Sequence, residues 1–184
     1  MDRKIDEATA GLTASFAKQL HSISENNAET IVKYIAAMKC EVNLSDHYRK
    51  DLIAVLCKFS RYCNNKPFKD LTRTYILRFL DSFRRTETQD LMHKWIGTYN
   101  IYRIHLLRFI KWLYYSDIEP DRRPKPSVIE NIPRLRRKET SIYKPSDLWT
   151  QQDDLLFLKY CPTKREKCYH AISRDTSCRP HSLL

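Results

Sequence analysis

The sequence predicts a mostly α-helical protein, and three observations support this. Only two of the 184 residues are glycine, whereas β-hairpin turns need glycine or asparagine where φ is positive. Apolar residues recur at intervals of three and four, as on a helix with one buried face. Hydrophobic residues make up 42% and aromatic residues 11% of the chain, which is enough for a folded core and argues against a disordered chain.

The N-terminal third is expected to contain a lead-in and two helices. Residues 1–24 are polar and weakly periodic, so we expect a flexible lead-in. The first helix has a candidate cap at Asn27 and one apolar stripe, formed by Ile31, Tyr34, Ile35 and Met38. The second has a candidate N-cap at Ser45, a stop at residues 64–67 and a buried face of Tyr48, Leu52, Val55, Leu56 and Phe59.

Two further helices are predicted before residue 117. A short one begins near Thr72, with Ile76, Phe79, Leu80 and Phe83 facing inward. A long one is expected to break at Gly97 and restart with Thr98 as its cap. In its final piece, one arc of about 100° holds a core-facing stripe of Tyr99, Tyr102, Leu106, Phe109, Ile110 and Leu113.

The other side of this last helix is cationic. It carries Asn100, Arg108 and Lys111 interleaved with Tyr114 and Tyr115, with Arg103 at the boundary. A face of this kind suits contact with phosphates. A plain solvated helix surface is the alternative.

The overall charge indicates a polyanionic partner. Lysine and arginine number 33 against 22 acidic residues, a formal charge of +11, and nucleic acid is the first candidate for a chain of this kind. No segment favours a basic membrane-surface helix, and no run approaches 18 apolar residues. Because the first residues lack an apolar signal region, we expect an intracellular protein without a membrane partner.

A composition change marks a predicted linker over residues 117–146. Five prolines fall between residues 117 and 145, and residues 117–138 carry seven basic against four acidic side chains. Proline cannot continue a helix, so we expect an extended basic linker between two domains. It would either follow a duplex backbone or simply be solvated.

Residues 147–184 read as the beginning of a second domain. Thr150 is a candidate N-cap, Asp153 and Asp154 complement the helix dipole, and a core begins with Leu155, Leu156 and Leu158. A second helix is expected over roughly 164–173, then a break at 175–177 and the start of another helix. Because about forty residues cannot bury a normal core, the second domain is expected to be incomplete.

The six cysteines are expected to be reduced thiols, some of them buried. A zinc site is the alternative, from the cluster Cys161, Cys168, His170, Cys178 and His181. Its spacings match no common zinc finger, so we favour plain thiols. We expect no cofactor and no small-molecule substrate.

The order of these segments, with "LWTQQDDLLFLKYC" and "YHAISRDTSCRP", resembles the tyrosine recombinase (phage-integrase) family, especially its archaeal integrase-like members. The resemblance implies that residues 25–116 are a SAM-like core-binding domain of four to five helices that clamps duplex DNA. It implies that residues 147–184 are two to three short helices opening an incomplete α+β catalytic domain. Arg179 would be the first catalytic arginine, which contacts the scissile phosphate.

The sequence departs from the family pattern in ways that bear on activity. Ser177 stands where the family usually has glycine, and Ser182 where it usually has glutamate. The nucleophilic tyrosine would lie beyond residue 184, because the last tyrosine here is Tyr169. Without that nucleophile no phosphotyrosyl intermediate forms, so we expect this chain to bind DNA without strand exchange.

The leading hypothesis is therefore a cytoplasmic, nucleoid-associated DNA-binding portion of a recombinase, with double-stranded DNA and other recombinase protomers as partners. The candidate DNA contacts are Arg49, Lys50, Lys58, Arg61, Asn100, Arg103, Arg108, Lys111, Arg122, Arg123, Arg136 and Arg137. The alternative is a helical protein-interaction module that binds an acidic protein surface or full-length recombinases.

Overall fold

The computed structural model describes residues 1–136 and 150–176, the last two without their side chains. The chain divides into two compact units, Met1–Glu139 and Thr140–Leu184. All regular secondary structure in the described residues is helical, which confirms the mostly α prediction.

The first unit contains six α-helices within residues 1–136. They are α1 (Asp2–Thr9), α2 (Ala14–His21), α3 (Glu25–Val42), α4 (Asp46–Tyr62), α5 (Arg73–Asp81) and α6 (Trp95–Tyr114). Three single 3₁₀ turns lie at Phe68–Asp70, Pro120–Arg122 and Ser127–Ile129. Every helix in the described residues is too short or too polar to cross a membrane.

The prediction of a flexible lead-in is wrong, because residues 1–24 form two docked helices. Ile5 and Leu20 are 1% and 0% exposed, and α1 and α2 pack on each other and on α3 and α4. Helices of eight residues are marginal alone. Their stability comes from tertiary packing, which a weak local pattern does not predict.

The helix boundaries near α3 and α4 are partly as predicted. Ser45 caps α4 by accepting a hydrogen bond from the Tyr48 amide at 3.3 Å. Asn27 is not a cap, because α3 begins at Glu25. The Asn27 side chain is fully buried and ties α3 to the turn after α4, donating to Lys66 O at 3.0 Å.

An aromatic core joins α3, α4, α5 and α6. Tyr34 and Phe109 meet at 5.2 Å between ring centroids, and Phe59 and Phe79 at 5.0 Å. Phe68 packs edge-on against Phe109 at 4.9 Å. The predicted stripe of α3 is entirely buried, as the 3.6-residue period requires.

Helix α6 is continuous, so the predicted break at Gly97 and cap at Thr98 are wrong. The helix runs from Trp95 to Tyr114 without interruption. A glycine costs a helix only about 1 kcal/mol relative to alanine. Burial of Ile96 and Tyr99 on either side outweighs that cost.

The predicted linker is not free over its described part. Ile129 and Ile132 are 3% and 4% exposed, and the first unit continues to Glu139. Proline excludes helix but does not exclude packing, and these two isoleucines anchor the segment. We call residues 125–136 the arm.

The second unit, over its described residues, is a pair of helices, α7 (Gln151–Tyr160) and α8 (Lys164–Thr176). Thr150 caps α7 as predicted, in a reciprocal capping box with Asp153. Helix α8 extends through Thr176, so the predicted break does not begin at residue 175.

The predicted core of this second unit is wrong. Leu155 and Leu156 are 63% and 55% exposed, while Asp154 is 2% exposed. The Asp154 carboxylate accepts from His170 Nε2 at 3.0 Å and pairs with Arg174. Burial of this carboxylate is possible because it is paired.

Candidate nucleic-acid interface

Two side chains of α6 fix the backbone of the arm. The Asn100 amide donates to Leu135 O at 2.8 Å and accepts from Leu135 N at 3.1 Å. Arg103 Nε donates to Ile132 O at 2.9 Å. Residues 132–136 have no regular secondary structure, and these side chains pair some of their backbone groups, which holds them in place.

Further hydrogen bonds extend this attachment. Tyr99 donates through its hydroxyl to Pro133 O at 3.3 Å. From α5, Arg73 donates to Glu130 O at 3.0 Å and to Asn131 O at 3.2 Å. With Ile129 and Ile132 buried beneath it, the arm is part of the surface of the first unit.

Cations line the groove between α6 and the arm, which we call the seam. Arg134 and Arg136 are exposed and flank a cleft beside Gly97 and Asn100. Arg103, Lys111 and Lys125 line a second cleft, further along α6. Among the described residues that line these two clefts, none is acidic.

The sequence of α6 explains the sign of this surface. No aspartate or glutamate occurs between Asp90 and Asp117, so the helix contributes only positive side chains. The cations of the seam therefore create a local field that favours polyanions.

Two predicted DNA contacts are wrong because the side chains are buried. Arg49 is 5% exposed and donates to Ala10 O and Asp46 Oδ1, at 2.7 and 2.8 Å. Arg123 is 6% exposed and forms a bidentate pair with Glu41, at 3.0 and 2.5 Å. Both hold the fold together and do not present their guanidinium groups to a ligand.

Asn100 and Arg103 also have a structural role that the sequence did not predict. Both are half-buried beneath the arm and position its backbone. The terminal nitrogens of Arg103 make no hydrogen bond within residues 1–136 and remain able to contact an anion. Arg122 is exposed on the surface and lies 3.4 Å from Glu119.

Three predicted DNA contacts on α4, Lys50, Lys58 and Arg61, do not line the seam. Lys58 lies over the rings of Phe83 and Tyr102, at 4.7 and 5.3 Å from their centroids. Arg61 donates to Ser22 Oγ at 3.0 Å, and Lys50 is half-buried on the same helix. Tyr102 faces α4 and α5, whereas the seam lies along Arg103 and Lys111.

Arg108 lies outside the seam, on the exposed stripe of α6 beside it. Its Nη1 donates to the Tyr48 hydroxyl at 3.0 Å, and this hydrogen bond raises the pKa of the guanidinium. Ile101 and Ile104, at helical spacing from it, are 55% and 46% exposed. The stripe is therefore mixed, apolar and cationic.

The sequence analysis did not predict three basic residues that line the seam or hold the arm, namely Arg73, Lys125 and Arg134. The run "RLRRK" at 134–138 lies within the predicted basic linker, but only the structure shows that Arg134 is exposed beside α6. Arg137 and Arg179 lie outside the described residues.

The described residues contain no group of three or more histidine, cysteine or acidic side chains placed to hold a metal ion. Cys178 and His181 of the hypothetical zinc set lie outside them. His170, from the same set, is bonded to Asp154.

No family model, no curated protein and no solved structure matches the chain.

Proposed function

We propose that this protein binds duplex DNA through the seam. The observation that carries the proposal is the arm itself, a basic segment fixed by side-chain hydrogen bonds along an acid-free helix. Cations on a fixed backbone lose less conformational entropy on binding than cations on a free linker. Phosphate contacts from such a surface would set affinity and register, whereas base contacts would set sequence preference.

The dimensions of α6 are compatible with this partner. A helix of 20 residues is about 30 Å long at 1.5 Å per residue. One strand of B-DNA places a phosphate every 3.4 Å along the axis. The cations of the seam, which span most of α6, would therefore lie within reach of several phosphates.

The test is duplex binding over a salt series with two charge-matched double variants. The seam variant is Arg134→Gln with Arg136→Gln. The control is Lys58→Gln with Arg61→Gln, which removes the same charge from α4. We expect the seam variant to lower the slope of log K against log[salt] by about 0.9 for each phosphate that the protein no longer neutralises, and the control to change it less.

Equal changes in the two variants would show that binding follows net charge and not the seam. Salt-independent binding would contradict a phosphate interface altogether, because counterion release is its signature.

We further propose that the chain is the DNA-binding portion of a tyrosine recombinase. This rests on the sequence resemblance and on the motif around Arg179. Arg179→Gln is expected to weaken duplex binding and to reduce the salt slope by about the value for one phosphate. Unchanged affinity and slope would contradict the assigned role of this arginine.

The exposed stripe of α6 supports a second candidate, a helical protein-interaction module. Ile101 and Ile104 are exposed apolar side chains beside Arg108, a combination found at protein interfaces. Binding to a full-length recombinase without DNA, abolished in Ile101→Ser with Ile104→Ser, would favour this function. The same variant should leave the salt slope for duplex DNA unchanged if the seam is the DNA interface.

A further inference from the structure

The second cleft of the seam brings three cations to one place. Arg103, Leu107 and Lys111 are spaced four residues apart and lie on one stripe of α6. Lys125 enters from the arm, and Asn131 adds a polar group. The cleft measures about 120 Å³, which exceeds the roughly 10–15 Å³ needed to hold one water.

The charges in this cleft are uncompensated within residues 1–136. Neither Lys111 nor Lys125 has an ion-pair partner there, and none of the lining residues is acidic. Leu107, Ile129 and Ile132 form an apolar lining, so these side chains bring no negative charge into the cleft. Three like charges around an apolar lining repel one another unless an anion lies between them.

Arg103 is oriented before any ligand arrives. Its Nε donates to Ile132 O at 2.9 Å, which fixes the plane of the guanidinium. A fixed guanidinium presents its remaining donors to two oxygens of one group, whereas a lysine ammonium acts as a mobile point charge. One anchored arginine and two lysines suit a tetrahedral oxyanion.

We propose that this cleft binds a single phosphate group. In the DNA complex, and so resting on the function proposed above, the group would be one backbone phosphate held in common by Arg103, Lys111 and Lys125. The cleft would set the register of the protein on the duplex, because a backbone phosphate bound in it could not shift along the protein surface.

The first experiment uses inorganic phosphate and the DNA-free protein. Thermal unfolding is compared in phosphate and in chloride at equal ionic strength, for the wild type, Lys111→Gln with Lys125→Gln, and Lys18→Gln. Lys18 is an exposed residue of α2, which packs on α1 and α4. A bound ligand raises the midpoint, whereas the general salting effect of phosphate acts on all three proteins alike.

We expect an additional midpoint increase in phosphate for the wild type and Lys18→Gln, and its loss in the double variant. An equal increase in all three proteins would overturn the site. Arg103 is left intact in these variants because its replacement would also release the arm.

The second experiment uses duplex DNA. If the two lysines share one phosphate, the double variant should lower the salt slope by about 0.9, the value for one phosphate. A decrease of about 1.8 would mean two separate phosphates and would overturn the shared site. If the protein binds duplex DNA, the double variant keeps the same salt slope and phosphate raises no midpoint, the phosphate site is overturned but the proposed DNA-binding function stands. If phosphate raises the midpoint but the protein does not bind duplex DNA, the proposed function is overturned and the cleft is a site for free phosphate.

Discussion

Asn100 bonds the backbone of Leu135 in both directions, with 2.8 Å from its amide nitrogen to Leu135 O and 3.1 Å from Leu135 N to its amide oxygen. These two hydrogen bonds pair the backbone N–H and C=O of one arm residue, as a neighbouring strand does in a β-sheet. They satisfy a donor and an acceptor within residues 132–136, which have no regular secondary structure.

Asn100→Ala is expected to release the arm. The arm loses the two hydrogen bonds between Asn100 and Leu135, each of which contributes about 0.5–1.5 kcal/mol. Trypsin should then cleave the Arg134–Leu135 bond faster, because its amide nitrogen is the one that Asn100 holds. Cleavage after the exposed Arg84 in the same digest is the internal reference, and Thr98→Ala on the same helix is the matched control. Unchanged cleavage at Arg134 would mean that the arm is held without Asn100.

Tyr34→Phe is expected to stabilise the first unit by about 1 kcal/mol. The Tyr34 hydroxyl is buried and has no hydrogen-bond partner within residues 1–136, and burying an unpaired hydroxyl is unfavourable. The phenylalanine ring would keep the packing against Phe109 and Trp112. Urea unfolding followed by tryptophan fluorescence measures the effect.

Tyr99→Phe is the matched comparison, since that hydroxyl donates to Pro133 O. Tyr99→Phe should leave the free energy of unfolding unchanged or lower it. A loss of stability in Tyr34→Phe would instead mean that the Tyr34 hydroxyl has a hydrogen-bond partner.

Arg123→Met is expected to destabilise the first unit by about 3 kcal/mol, a typical cost of removing one partner of a buried pair. Arg123 and Glu41 have side chains 4% and 18% exposed, so Glu41 would be left largely buried and unpaired. Chemical denaturation of Arg123→Met, Glu41→Met and the double variant gives the coupling between them. We expect the double variant to lose less stability than the sum of the singles. Additive losses would show that the two groups stabilise the fold independently.

The stability of the first unit is expected to fall below about pH 6.5. Burial lowers the pKa of His105, with Asp51 opposing this shift and Arg108 adding to it. Because the pKa of His105 is lower in the folded protein, the unfolded chain binds the proton more readily. Neutral His105 therefore makes its full contribution to stability above the unfolded pKa of about 6.5, and that contribution declines as the pH falls toward the folded pKa. The slope for one group is at most about 1.4 kcal/mol per pH unit.

Urea unfolding at several values between pH 5 and 7.5 measures this slope. His105→Phe, which keeps a ring beside Tyr48, should reduce it, while replacement of the exposed His47 by glutamine should not. An identical slope in His105→Phe would assign the pH dependence to other groups.

The cysteines are expected to differ sharply in reactivity. Burial raises the pKa of Cys57 to about 12 and that of Cys63 to about 11, so almost no thiolate exists at neutral pH. Cys40 and Cys168 are exposed. Alkylation with iodoacetamide, read by mass spectrometry, should label Cys40 and Cys168 first and the buried pair only on unfolding. Early labelling of Cys57 would show that α4 opens locally.

Periodicity predicted much of the first unit. The stripe at Ile31, Tyr34, Ile35 and Met38 is buried as expected, because a helix repeats every 3.6 residues whatever its neighbours. The N-caps at Ser45 and Thr150 were likewise predicted, since capping depends on residues only three positions away. The recombinase resemblance and DNA binding stay predictions.

The sequence by itself determined the helical class, the positive charge and the absence of acids from α6, because these depend on composition and on neighbours along the chain. Only the tertiary structure decided which cations are accessible. Arg49 and Arg123 are indistinguishable from surface arginines in sequence, yet each is drawn inside by a distant partner, Ala10 and Glu41. The arm shows the same principle, since its position depends on side chains of α5 and α6 some 30 to 60 residues earlier, and such distant contacts leave no local periodic signal.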